Sequence, residues 1–458
     1  MKSQIINNRG IHILIILIVM LSSSCKKYLD AKSDQKLEIP TNLNDLQALM
    51  DNYATINFVY PAAGEVSSDD YYLKDADYSA LFYNADKRMY TWQKNYIFNT
   101  GASGNDWEST YNAIYYANTI LENIRSIARS PENAAQWDNV KGEALFLRGY
   151  QFLGALQIWS QAYDEKIAGT DLGIPLRLNT DFNQKSVRAS VNDSYNQVIT
   201  DLRSAIPLLP SIPLNAFRPG KQAAYAILAR TYLCMRNYQL AGIYADSSLL
   251  VNNQLIDYNT LNPSAAYPIP NLSTEMIFYS VLNSVKPIYF KLAKIDSNLY
   301  RSYADNDLRK TIFFKDDLDG TFSFKGSYTA AFYQAAGPAT DEMYLIRAEA
   351  YARAGDVSNC FKYLNTLLIN RYKTGTFTAL KAPDASSALN LVLLERRKEL
   401  VMRGLRWADI KRLNKEGAEI GLNRTVLGVN YALPANDPRF ALSIPEDVIA
   451  LSGMQQNP

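Results

Sequence analysis

The sequence predicts an all-α, mostly helical fold: a scaffold of paired helices that carries long irregular loops and a few short strands. Three observations predict it. Apolar residues recur at helical spacing through most of the long segments. Two of those segments match each other position by position. The stretches between them lack a period and gather Tyr, Asn, Asp, Gly and Pro, the residues of turns and loops.

The chain has 458 residues and opens with Lys2 and Arg9 ahead of an apolar run from Ile13 to Leu21. That run is too short to span a bilayer, which takes ~20 apolar residues, but it suits the core of a secretory signal. Ser22, Ser23 and Ser24 then precede Cys25 and resemble the lipobox of bacterial lipoproteins. Small residues fit the signal peptidase, and only a thiol takes the diacylglyceryl group. Residues 1–24 are therefore read as a cleaved lipoprotein signal and Cys25 as the lipidation site; an ordinary signal followed by an unrelated cysteine is the alternative.

A hydrophobic content of 48% with 20% charged residues marks the remainder as globular. Without Lys2 and Arg9 the 47 basic residues become 45, against 45 acidic ones. That balance leaves no electrostatic footprint for nucleic acid. Attraction to a membrane has to come from lipid on Cys25, where acyl chains contribute roughly 0.8 kcal/mol per buried methylene and more than one chain is needed for firm anchoring. The single histidine, His12, leaves with the leader. A Ser-His-Asp triad, a Cys-His pair and His-ligated metal sites are thereby excluded. Cys234 and Cys360 lie in apolar helical patterns and read as buried thiols rather than a disulfide. The 32 tyrosines are the compositional outlier. Their apolar bodies and polar tips suit surfaces that grip sugars or peptides, although most will be core residues.

Taken in order, a polar tether reaches Pro40, and Leu43, Leu46, Leu49 and Met50 predict a helix over 42–50. Residues 65–104 hold many aromatics without a period and read as long loops. Asn105 and Asp106 cap a helix over 107–127 whose stripe is Trp107, Tyr111, Ile114, Ala117, Leu121 and Ile124. Pro131 opens the next, which runs to Ile158, and a Gly/Pro connection at 170–178 leads to a helix over 191–209 stopped by Pro210 and Pro213. The least regular region is 251–339, where 276–281 and 321–328 read as short strands. Asp316, Asp317, Asp319 and Gly320 resemble part of a calcium loop, but Lys315 occupies the first ligand position and the match fails. No metal and no cofactor is assigned.

The matching segments are 227–249 and 346–368. Ala229 falls with Ala348, Tyr232 with Tyr351, Asn237 with Asp356, Ala241 with Cys360, and Tyr244 with Tyr363. This is the helix–turn–helix pattern of tetratricopeptide repeats, with small residues where two helices cross and an aromatic one turn later filling the gap. Residues 147–156 fit more loosely, through Gly149 and Phe152.

Residues 391–413 read LVLLERRKELVMRGLRWADIKRL. Glu399 and Arg403 stand at i,i+4 in the favourable order, Gly404 ends that helix, and Arg406 and Asp409 are placed to pair beside Trp407. Glu395 and Glu399 are either a catalytic carboxylate pair on one helix face or members of an ion-pair network holding two helices at an angle. The network is the favoured reading, because nothing nearby supplies a nucleophile or a pocket. The segment resembles the ER-x-x-EL-x-x-EG-x-RW-x-DL-x-R signature of the SusD/RagB family of outer-membrane nutrient-binding lipoproteins. The matching residues are Glu395, Arg396, Glu399, Gly404, Arg406, Trp407, Asp409 and Arg412; Arg403 replaces the usual glutamate and Ile410 the leucine. The stretches CKKYLD at 25–30, WESTYNAIYYAN at 107–118, DLGIPL at 171–176, DLR at 307–309 and the closing 442–458 are similar to that family's elements in the same order, with Val448 where glutamate is usual.

The resemblance implies a helical fold built on four tetratricopeptide-like pairs, divided as residues 25–260 and 261–458. It implies lipid anchoring on the outer face of the outer membrane, an oligosaccharide or peptide ligand, and a SusC-like TonB-dependent transporter barrel as partner, with no enzymatic activity. The family's acidic export signal is partly echoed by Asp30 and Asp34. A repeat scaffold for other envelope proteins, or a glycoside hydrolase using paired carboxylates, are the competing readings. Ligand-binding aromatics are sought where no helical period claims them: Trp92, Asn95 and Tyr96 in the first irregular stretch, and Tyr267, Tyr289 and Tyr300 in the second. These are expected to meet on one face with Trp92 as the main platform; the alternative is that Trp92 plugs the core.

Replacement of the thiol, Cys25→Ala, is expected to leave the protein unlipidated and soluble. Metabolic labelling with a palmitate analogue checks this, and equal labelling of variant and parent counts against it.

Overall fold

The two matching segments fold as matching helix pairs. The structure, a computed structural model, describes residues 40–99 and 105–458; the leader, Cys25, Asp30 and Asp34 lie outside the described residues. Its longer helices are α1 (Leu43–Met50), α2 (Asp106–Asn123), α3 (Ala134–Trp159), α4 (Val191–Ala205), α5 (Lys221–Cys234) and α6 (Tyr238–Val251). They continue with α7 (Thr340–Arg353), α8 (Val357–Leu368), α9 (Ala385–Glu399), α10 (Arg406–Asn414) and the short α11 (Glu446–Ser452).

From α2 to α8 each helix packs on the next, and α9 lies on α7. In the pairs α5/α6 and α7/α8 the turn is built twice in the same way. Asn237 and Asp356 cap the second helix by accepting from the N–H of Leu240 and Asn359. Arg236 and Gly355 make the left-handed turn at φ 60° and 81°. Tyr232 packs on Tyr244 at 5.4 Å and Tyr351 on Tyr363 at 5.5 Å between ring centres. Gly149 does what its place in the looser match suggests. A Cβ there would lie 3.1 Å from Leu202 Cγ, so the bare backbone lets α3 press against α4. Helix α3 is buried all round from Gly142 onward, so its polar groups need partners. Arg148 donates to both oxygens of Asp201 at 2.8 and 2.7 Å, and Gln157 accepts from the Tyr60 hydroxyl. Cys234 and Cys360 are buried free thiols.

The irregular stretches are less featureless than their sequences suggest. Residues 65–104, read as long loops, contain the short helices Asp75–Ser79 and Asn84–Tyr90 and the strand β1 (Tyr71–Tyr72). Each is too short to show a period. Strands β2 (Leu172–Pro175) and β3 (Arg188–Ser190) form a separate antiparallel pair. Strands β4 (Lys294–Ile295), β5 (Phe314–Asp316) and β6 (Phe322–Phe324) join β1 in an antiparallel sheet of order β1-β4-β6-β5. Its register sets Tyr71 opposite Ile295, Lys294 opposite Ser323 and Phe314 opposite Phe324. The C-terminal hairpin is β7 (Leu422–Val426) and β8 (Val429–Leu433). The expected strand at 276–281 does not form a ladder. Its backbone donors go to three different segments, Ile277 to Pro338, Tyr279 to Ala216 and Val281 to Asn57. Of 321–328 only Phe322–Phe324 pairs as a strand. The acidic loop is engaged by lysines: Asp317 meets Lys294 at 2.8 Å and Asp319 meets Lys74. Among the described residues no group of three His, Cys, Asp or Glu is placed to hold a metal.

Of the signature residues, Glu395, Arg396, Glu399, Trp407, Asp409 and Arg412 are buried and Gly404 and Arg406 half-buried, and two expected pairings are corrected. Helix α9 ends at Glu399, and Met402 and Gly404 take left-handed conformations at φ 57° and 72°, which carries Arg403 off the helix and away from Glu399. Arg403 turns instead to the Gly337 carbonyl, 2.8 Å, and Asp341, 3.4 Å. Arg406 pairs with Asp69 rather than Asp409, at 2.7 Å. Asp409 accepts from Arg396 and Arg412, each at 2.8 Å, and Arg412 also pairs with Glu349. Trp407 is buried against Phe440, 4.7 Å between ring centres. Glu395 and Glu399 both accept from Arg309, at 2.6 and 2.9 Å. Glu399 also accepts from Arg371, 2.6 Å, whose other arm reaches Glu275 at 2.8 Å.

Tyr328 closes this network, with its hydroxyl 2.6 Å from Glu275 and 2.8 Å from Asp341. One hydroxyl proton cannot serve two carboxylates. Burial pushes Asp341 up to about 7 from 3.8, so below that pH its own proton supplies the second bond. A carboxyl raised by folding contributes stability that is fully present below its unfolded value and is lost as the pH rises through its folded one. Asp341→Asn removes that titration. Relative to the parent, its melting temperature is expected to improve as the pH goes from about 5 to about 8. A constant difference between the two proteins across that window would contradict it.

Candidate functional site

The two irregular regions meet. Strand β1 of the first pairs with β4 of the second, and the turn Lys286–Ile288 packs against the helix Asn84–Tyr90. Trp92, the expected platform, does not face out. It follows that helix in a left-handed conformation, φ 53°, which swings the indole inward. The ring is 2% exposed, its N–H donates to the Ser67 carbonyl at 2.9 Å, and the Arg424 guanidinium lies 4.7 Å from the ring centre. A fully satisfied indole under a cation is a core plug, so the platform expectation is corrected to the alternative. Asn95 and Tyr96 do face solvent, with Tyr96 62% exposed and Arg88 stacked 5.8 Å from its ring. Tyr300 is half-buried and lies flat on Phe322, 3.5 Å between ring centres. Tyr267 is half-buried and contributes to none of the ring contacts described below.

Tyr289 is the expected residue around which a surface is built. It stands 4.7 Å from Phe290, and Phe332 lies 6.0 and 6.1 Å from the two rings. The run continues from Phe332 to Tyr333 at 4.3 Å, to Phe58 at 5.6 Å and to Tyr279 at 5.8 Å. Phe217 and Tyr53 extend it at 4.4 and 4.7 Å. Its most buried ring is Tyr279 and its most exposed is Phe332, 38% exposed, with Tyr289, Phe290, Tyr333 and Phe58 half-buried. Lys286 and Lys291 place ammonium groups 5.2 and 5.8 Å from the Tyr289 and Phe290 rings.

Local hydrogen bonds hold these rings in place. Pro287 starts the turn before Tyr289. Gln334 donates to the Ile288 carbonyl at 2.6 Å and ties the two ring-bearing loops together. The Ser327 and Thr329 hydroxyls both donate to the Tyr333 carbonyl, and Ala330 turns at φ 49°. Half-exposed rings on fixed loops offer flat apolar faces beside polar groups, the chemistry that holds a sugar ring. Phe58, Phe290, Phe332 and Tyr333 were missed in the sequence. The available signal was two aromatic pairs, Tyr289-Phe290 in the run KPIYFK and Phe332-Tyr333 in the run AAFYQAA, outside any helical period. The carboxylate pair Glu395 and Glu399 is buried against arginines.

Comparison with known proteins places this architecture. A family model described as starch-binding, associating with outer membrane, matches residues 27–233, and the SusD family model matches residues 341–439. No curated protein matches at a significant level. Among solved structures, a SusD superfamily protein of Bacteroides thetaiotaomicron superposes with a TM-score of 0.74 at 20% identity, over 91% of this chain and 100% of that one. A putative sugar binding protein of Bacteroides vulgatus gives 0.74 at 21% identity, over 92% and 99%. A SusD-like carbohydrate binding protein of the same species gives 0.64 at 19%, over 90% and 97%. The fold is therefore that of the tetratricopeptide-like SusD proteins. With both family models matched in chain order, the chain belongs to the SusD/RagB family, which is associated with the outer membrane. No helix among the described residues is long and apolar enough to cross a membrane.

As a buried aromatic, Trp92 should behave as part of the core: Trp92→Ala is expected to cost about 3–5 kcal/mol of stability, the usual loss for a buried large aromatic. Denaturant unfolding measures it; a variant as stable as the parent would return Trp92 to the surface.

Proposed function

We propose that the protein captures oligosaccharides on the Tyr289–Phe332 surface and delivers them to a SusC-like TonB-dependent transporter, held at the outer membrane by lipid on Cys25 and performing no chemistry on its ligand. The observation that carries this reading is the continuous run of rings that ends half-exposed on two tied loops. A large apolar side chain left at the surface on a fixed loop forgoes burial energy, and such patches mark binding sites. The family model's description and the sugar-binding names of two structural neighbours support the same ligand class. A peptide is the second ligand class that stacked rings beside polar groups accommodate.

Binding is tested by calorimetry with maltoheptaose and by glycan and peptide arrays. Phe332→Ala is expected to weaken the parent's oligosaccharide binding by ~1–3 kcal/mol, the range for one aromatic stacking contact measured with nucleic-acid bases, with the melting temperature unchanged. A parent that binds peptides and no glycan would overturn the ligand class. Equal affinity of Phe332→Ala and parent would overturn the site.

A further inference from the structure

A second cavity of about 530 Å³ opens elsewhere on the molecule, between α2, the connection from β2 to β3, and α11. One wall is α2, where Tyr115 is half-exposed. The opposite wall is the loop 176–187, whose Phe182 is 81% exposed yet held 5.1 Å from the Tyr115 ring. Leu451 of α11 closes the third side. The loop is a built structure. Asn118 of α2 donates to the Arg177 carbonyl at 2.8 Å, Glu122 accepts from Thr180, and Asn179 donates to Gln184 at 2.7 Å. Folding does not explain why a loop fixed this firmly should hold a phenylalanine in water.

The charged side chains that line the cavity are all of one sign. Arg177 and Lys185 line it, and no lining side chain carries a carboxylate. Arg177 donates only to the carbonyls of Asp181 and Gln184 and to the Ser186 hydroxyl. Lys185 has no hydrogen-bond or ion-pair partner among the described residues. Arg188, behind the wall, donates to the carbonyls of Trp159, Leu172, Gly173 and Gln455 and to the Asn457 amide oxygen, neutral groups throughout. The nearby acids bond to neutral groups and do not line the cavity. Glu122 holds Thr180, and Asp181 accepts from the Asn183 N–H at 2.8 Å. Elsewhere in this protein buried or half-buried arginines usually meet carboxylates; Arg177, Lys185 and Arg188 make no ion pair among the described residues.

We propose that this cavity is a second carbohydrate site, specific for a sugar unit that carries a carboxylate. The sugar's apolar face stacks between Phe182 and Tyr115. Its carboxylate takes the free Lys185 ammonium in the field of Arg177 and Arg188. Its hydroxyls meet the Asn183 side-chain amide and the Tyr115 hydroxyl, neither of which is hydrogen-bonded among the described residues. The choice of a sugar over another anion rests on the oligosaccharide reading above; the site and its charge preference do not.

The test is calorimetry on the full-length protein in mild detergent with tetragalacturonate, and with cellotetraose as the neutral probe. Tetragalacturonate is expected to bind, to bind less tightly as salt is raised, and to lose roughly tenfold in affinity in either Phe182→Ala or Lys185→Ala, the scale of one stacking or charge contact. Lys185→Arg should retain it, and Phe332→Ala should leave it unchanged, which separates this site from the first. Absence of tetragalacturonate binding, equal affinity in the two alanine variants, or preference for cellotetraose at this cavity would overturn the proposal. So would a sulfated tetrasaccharide or a tetraglutamate peptide that binds at Lys185 in its place.

Discussion

The docking of the irregular insertion rests on Arg309 and Arg371. Neither guanidinium touches water, and between them they hold Asp307, Glu395, Glu399 and Glu275. Those acids come from the insertion and from α9. Tyr328 and Asp341 extend the set to the start of α7. The insertion also buries apolar side chains in the common core, among them Phe278, Val281, Leu282, Ile288 and Phe313. Apolar burial is non-directional, so the charge-assisted bonds are what fix its position. The desolvation cost of such a set roughly cancels its attraction, but removing one member strands the others and costs about 3–5 kcal/mol. The network is thus better read as a device that selects one docking geometry than as a source of net stability.

That geometry is what lets so little secondary structure place the ring-bearing loops. The sheet that joins the two irregular regions has strands of two or three residues, below the length that stands alone. It persists because Lys294 meets Asp317 beneath it and Arg424 fastens the carbonyls of Tyr90, Val66 and Ser68 next to it. With the framework fixed, Phe332 and Phe182 can be left in solvent. Each forgoes part of the ~1.5–3 kcal/mol that burying such a side chain yields, and a rigid scaffold tolerates that cost.

The scaffold was legible because its information is local. Periodic stripes and an N-cap can be read within a dozen residues, and the repeat was visible because Tyr232, Asn237 and Tyr244 recur at one constant offset as Tyr351, Asp356 and Tyr363. The signature at 395–412 announced buried charge but not its partners. Arg406 finds Asp69, and Glu399 finds Arg309, across long stretches of sequence that no spacing rule connects. Trp92 was misplaced because one left-handed residue after a short helix decides which way the indole points, and a tryptophan in a loop carries no mark of that. Phe182 gave a weak signal, a lone aromatic in the polar run NTDFNQKS; its meaning depends on Tyr115, which reads as an ordinary helix residue.

Perturbed acids usually point to chemistry, and this protein has several. Burial pushes Glu65 up to about 8 and Asp106 up to about 7. Yet each sits at a joint between elements. Asp106 accepts from the backbone N–H groups of Ala62 and Ala63 and from Asn283, locking the start of α2 to two distant segments. Glu65 accepts from the Gly404 N–H at 2.8 Å and so fixes the tight turn between α9 and α10. None of these carboxyls lines the Phe182 cavity. Their shifts follow from being packed into a crowded interior with backbone donors for company. Glu65 and Asp106 thus act as joints between elements, and in the proposed function recognition falls to the aromatic and basic side chains that the interior leaves outside.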